Sequence, residues 1–138
     1  MNGRPLLSYV LDAAAAARCF DESTAAGGRG TIIEGCGVFV VSDDPAALDL
    51  ACSSKHNAGA IEIPATMAGA DSPVVPVLRH AADIIGTDQG ADLDAICYLR
   101  ATSPFVRPQT VRRAIRELAE SRSRPDAPGD CFDSILGV

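Results

Sequence analysis

The sequence contains no tryptophan, and aromatic residues make up only 4% of its 138 residues. Its core must therefore be assembled from Ala, Val, Leu and Ile. Lysine is almost missing too: Lys55 is the only one, and the rest of the positive charge is arginine, which reads as a coding bias. Basic charge is in deficit, with 12 Lys and Arg against 18 Asp and Glu. A formal net charge of -6 excludes a nucleic-acid backbone as the expected partner, because phosphate neutralisation wants a basic face. A single nucleotide stays open, since a few arginines in a pocket suffice locally.

The five cysteines, Cys19, Cys36, Cys52, Cys97 and Cys131, are odd in number and form neither a CxxC pair nor a zinc framework. They are expected to be thiols in a reducing compartment, with Cys97 a small core residue in an apolar run. No apolar run is long enough to span a membrane, and Met1 to Pro5 lack the layout of a secretory signal. The expectation is a soluble intracellular protein without a membrane partner, cytoplasmic, or nuclear in a eukaryote. None of the motifs G-x-x-x-x-G-K-[ST], G-x-G-x-x-G or G-x-S-x-G occurs.

What is present is an alternation of helical and apolar segments. Hydrophobic residues at 47% and charged ones at 22% suit a globular chain with one domain and one core. Pro5 opens a first helix, with Leu6, Leu7, Val10 and Leu11 at helical spacing before the Ala13 to Ala17 run. Residues 23–37 carry five glycines and read as a loop or insertion. Val38 to Val41 form a buried strand; Asp44 then caps a helix with Pro45 in its first turn, running to about Asn57. Ala60 to Ile63 form a short strand ended by Pro64, and a third helix spans roughly Pro73 to Ile85. Ala95 to Leu99 read as another apolar strand, followed by a loop from Arg100 to Arg107 and a fourth helix from Pro108. Val111, Ala114, Ile115 and Leu118 share one face of that helix. Ser121 to Gly129 read as a surface turn, and Cys131 to Val138 as a final strand.

Strands that are apolar throughout, separated by helices, predict a three-layer α/β fold with a mostly parallel sheet covered on both faces. In such a fold ligands bind outside the carboxyl ends of the strands. Three loops qualify: Ser42-Asp43-Asp44, residues 64–72, and Arg100-Ala101-Thr102-Ser103-Pro104. Helix N-termini behind them offer unpaired N–H groups to an anion. Taken alone, Asp43 and Asp44 fit either a helix cap or a catalytic pair, and Thr102-Ser103-Pro104 fits ordinary turn chemistry. Arg107, Arg112, Arg113 and Arg116, with Glu117 and Glu120 nearby, read as a solvated helix face. His56 and His80 stand alone at no metal-ligand spacing, with His80 and Asp83 one turn apart as a surface pair.

The order of these loops carries a resemblance. Gly3-Arg4-Pro5-Leu6-Leu7, Cys19-Phe20-Asp21, Val38 to Asp44, Pro64-Ala65-Thr66-Met67-Ala68 and Leu99-Arg100-Ala101-Thr102-Ser103-Pro104 are similar to the segments GKPL, FD, VVVSTDD, RPAELA and LQPTSP of the acylneuraminate cytidylyltransferases. The likeness covers nearly the whole chain. It implies a Rossmann-like nucleotidyltransferase fold, present in part as a single domain over residues 1–138, with an insertion at 23–37. It implies transfer of CMP from CTP to an acidic sugar such as N-acylneuraminate, with release of pyrophosphate and Mg²⁺ as cofactor, the family's metal ligand lying outside this chain. By that likeness Asp71 and Ser72 lie along the nucleotide, Arg100, Thr102 and Ser103 face the sugar, Asp43 is a further candidate, and the full-length protein is a homodimer.

The chain also departs from the family. Ile63 and Arg100-Ala101 replace an Arg and a Gln-Pro, and the family's basic phosphate loop precedes the segment at which Met1 stands. The chain is accordingly expected to release no pyrophosphate by itself. A non-catalytic binding domain of the same fold, and a nucleotidyltransferase for another acid sugar, are the alternative expectations.

Overall fold

Two short segments, Phe39–Ser42 (β1) and Gly59–Glu62 (β2), pair in parallel, with Phe39 opposite Gly59 and Ser42 opposite Glu62. They belong to a computed structural model that describes residues 3–18, 37–53, 55, 58–69, 71–89, 93 and 95–122. Parallel strands need a crossover, and helix α2 (Pro45–Cys52) supplies it. Two backbone hydrogen bonds extend the ladder at its ends, from the Gly59 N–H to the Val38 carbonyl at 2.8 Å and from the Ile63 N–H to the Ser42 carbonyl at 3.1 Å. Gly59 is needed where it stands: a Cβ there would lie 2.5 Å from the Phe39 ring, and one on Gly37 equally close. The ring occupies the space that side chains at these two positions would take.

Helix α1 (Leu6–Arg18) begins after Pro5, whose carbonyl accepts the Ser8 N–H at 3.0 Å. Gly3, just before it, has φ of 65°, a left-handed conformation that residues with a Cβ adopt only at a cost. Leu11 of α1, Val40 of β1, Ala51 of α2 and Ala58 ahead of β2 form the buried cluster. Leu7, Val38, Ala47, Leu48 and Leu50 pack against it. Ala51 is fully buried, so small residues set the spacing of this core, as the scarcity of aromatics requires. Helix α3 (Val74–Gln89) carries Pro76 in its first turn, where no intrahelical N–H bond is lost. Helix α4 (Pro108–Arg122) packs on α1 with Val111 buried.

The α/β class, the parallel pairing and the four helices agree with the sequence reading. Four expectations need correction. Ala95 to Leu99 form no strand; the sheet has two strands among the described residues, and Ile96 and Tyr98 are about half exposed. An apolar run becomes a strand only where a neighbouring edge takes its N–H and C=O groups, and this run joins neither β1 nor β2. Cys97, placed in that run, is exposed rather than a core residue. Coverage of both sheet faces fails at β2, where Ile61 and Ile63 are buried but Ala60 and Glu62 are exposed. Helix α2 ends at Cys52, not near Asn57: Ser53 turns to an extended conformation, and its hydroxyl donates to the Leu50 carbonyl at 2.6 Å. Serine competes in this way with continuation of a helix. The insertion, apart from Gly37, and the final strand at 131–138 lie outside the described residues.

Candidate functional site

The carboxyl ends of β1 and β2 lie side by side because the strands are parallel and in register. Ser42 and Ile63, joined by a backbone hydrogen bond, mark that edge. Beyond Ser42 the chain turns sharply: the Asp44 N–H donates to Ser42 Oγ at 3.0 Å, and Asp44 Oδ1 accepts the Ala46 N–H at 2.9 Å. The Asp44 carbonyl takes the Ala47 N–H at 3.0 Å. Asp44 is thus the N-cap of α2, with Pro45 in the first turn. Asp43 lies outside this capping arrangement and is exposed. Asp44 thus caps α2, and Asp43 takes no part in the cap.

Beyond Ile63 a short 3₁₀ turn, Ala65–Met67, follows Pro64, with the Met67 N–H donating to the Pro64 carbonyl at 2.8 Å. A second turn brings the Ser72 N–H to the Gly69 carbonyl at 2.9 Å and leads into α3. Asp71 is exposed on this turn and Ser72 is half-buried. Between the 3₁₀ turn and α3 lies an open depression of about 340 Å³, lined by Met67, Val75, Pro76, Arg79, His80 and Asp83. Its lining combines apolar side chains with a guanidinium, an imidazole and a carboxylate. Arg79 was not singled out from the sequence. The signal available was helical spacing, since Pro76, Arg79, His80 and Asp83 recur at intervals of three and four.

Arg100, Thr102 and Ser103 are exposed on a turn closed by the Ser103 N–H and the Arg100 carbonyl at 3.0 Å. Because residues 95–99 are outside the sheet, strand pairing does not carry these three to the edge shared by Asp43 and Ile63. The sequence-derived candidates thus divide. Asp43 follows β1, and Asp71 and Ser72 follow the loop from β2, whereas Arg100, Thr102 and Ser103 belong to a separate turn.

The arginines of α4 also divide. Arg113 Nε donates to Glu117 Oε1 at 2.6 Å on the exposed face, as a solvated helix side should. Arg112 departs from that reading. Its Nη2 donates to the Ala16 carbonyl near the C-terminus of α1, and its Nε is buried. It satisfies one of the carbonyls that a helix end leaves unpaired.

Among the described residues no group of three or more His, Cys, Asp or Glu gathers that could hold a metal ion. No described helix is long and apolar enough to cross a membrane. Comparison of the chain with protein-family models, with curated proteins and with solved structures finds no match.

Proposed function

We propose that this chain is the nucleotide-binding part of a cytidylyltransferase-like domain of partial Rossmann-like fold, which recognises CTP at the carboxyl edge of β1 and β2. The reaction such a domain serves is attack by an acidic sugar, such as an N-acylneuraminate, on the α-phosphate of CTP, giving the CMP-sugar and pyrophosphate. The observation that carries the reading is the parallel register of β1 and β2, which sets the loop holding Asp43 beside the loop leading to Asp71 and Ser72. Ligands of open α/β sheets sit at that edge. By the resemblance, Asp71 and Ser72 line the nucleotide, and Arg100, Thr102 and Ser103 meet the sugar from a separate turn that is not joined to the β1–β2 edge by strand pairing. Among the described residues no group of three or more His, Cys, Asp or Glu gathers to hold a metal of its own. Mg²⁺ enters with the triphosphate as part of the substrate, as phosphate-bound Mg²⁺ commonly does.

A second reading, recognition of the nucleotide without turnover, is favoured by Ile63. The resemblance gives that position to an arginine, but here it is an isoleucine with 6% exposure, built into the core. Charge neutralisation at the transferring phosphoryl group is the largest demand of this chemistry, and that position supplies none.

Titration of the ¹⁵N-labelled chain with MgCTP, with MgATP as the base control, tests the proposal. The expected result is amide shifts at Asp43, Asp71 and Ser72 with CTP, and smaller ones with ATP. Ser72→Ala should weaken CTP binding about tenfold, the loss of one hydrogen bond to a charged group. Absence of any shift at millimolar CTP would sink nucleotide recognition. A coupled assay with CTP and N-acetylneuraminate should detect no pyrophosphate; sustained release would reject the second reading and leave the first.

A further inference from the structure

We draw no further inference here: the strongest candidate, the exposed apolar stretch between α3 and α4 that includes Leu93, Ile96, Tyr98 and Phe105, carries no proposal because nothing in the structure shows what covers it.

Discussion

Residues 39–62 and residues 93–122 are built from similar material and reach different ends. Each contains a short apolar run followed by a polar turn and a helix that opens on proline: Phe39–Ser42 before Pro45 in one, Ala95 to Leu99 before Pro108 in the other. In the first, the run is a strand whose backbone is satisfied by β2 and whose Val40 joins the buried cluster. In the second, Ile96 is 49% exposed and Phe105 83% exposed. Local propensity is comparable, so the difference is non-local. The first region contains both strands of a parallel pair and the helix that connects them, whereas residues 95–99 have no strand partner among the described residues. Burial follows strand pairing here: the run that joins the sheet is largely covered, and the run that adds no strand to it stays exposed.

The sharpest test of this contrast is a pair of truncations. Leu11 is 3% exposed and packs with Val40, Ala51 and Ala58. Leu11→Ala should remove about 2–5 kcal/mol of stability, the transfer and cavity terms together. Ile96→Ala, at a half-exposed site, should change stability by about 0.5 kcal/mol or less. Urea denaturation of both variants measures the difference. Equal losses would mean that the second region is as tightly packed as the first.

Gly59→Ala probes the same pairing from within the sheet. The new methyl would meet the Phe39 ring at 2.5 Å, so the ring must leave its place over the strand pair. The expected cost is about 1–3 kcal/mol, the range for overpacking. Gly59→Ala combined with Phe39→Leu should recover part of that loss, because the smaller side chain reopens the space. An additive double variant would show that the ring is not what the glycine accommodates.

These residues also mark what could be read from the sequence. The positions of β1 and β2 were legible within one residue, because each is a β-branched or apolar run bounded by Gly, Pro or Asp. The cap at Asp44-Pro45 was legible because it is made within three residues of chain. Pairing of residues 95–99 was not legible, since the same letters describe a strand with a neighbour and a segment without one. The end of α2 was not legible because the outcome turned on one Ser53 hydroxyl, whereas no Gly or Pro interrupts the chain between Cys52 and Gly59. Within the candidate site, the sequence marks Asp44 as the cap but leaves a catalytic pairing with Asp43 open; the geometry gives the Ala46 N–H to Asp44. Arg112 was read with its neighbours as solvated, because a carbonyl 96 positions earlier leaves no trace in local spacing.

The cap itself supplies a smaller, local effect. Asp44→Ala should cost about 1 kcal/mol, the usual loss when an N-cap carboxylate is removed, and Asp44→Asn should restore most of it. Asp43→Ala should leave stability nearly unchanged, since Asp43 takes no part in the capping bonds. Thermal denaturation of the three variants orders them. A loss at Asp43 equal to that at Asp44 would contradict the division of roles between the two carboxylates.

The smallest expected effect belongs to a clasp on the first region, at Asp12 of α1. Its carboxylate accepts from Arg4 Nη2 and lies 3.3 Å from Lys55 Nζ, while Arg4 also stacks over the Tyr9 ring at 4.9 Å. Burial pushes the Asp12 pKa upward, but the hydrogen bonds and charges of Arg4 and Lys55 outweigh it and hold the carboxyl below its ordinary value. A folded-state value below the unfolded one means that the clasp adds stability above the unfolded pKa of about 3.9. That contribution is lost as pH falls through the folded value. Side-chain exposures of 37% for Asp12 and 68% for Lys55 leave the pair open to solvent, so the contribution belongs to the surface range. Such pairs contribute under about 1 kcal/mol and weaken with salt. Asp12→Asn should therefore lower the urea midpoint slightly at neutral pH and low salt, and converge on the parent chain as pH falls through the folded-state value of Asp12 and its carboxyl loses its charge. Arg4→Met should have a larger effect than Lys55→Met, because Arg4 is the closer and less exposed partner of Asp12 and also stacks over Tyr9. A deficit in Asp12→Asn that did not shrink as pH was lowered through the acid range would assign the role of Asp12 to packing along α1 instead of charge.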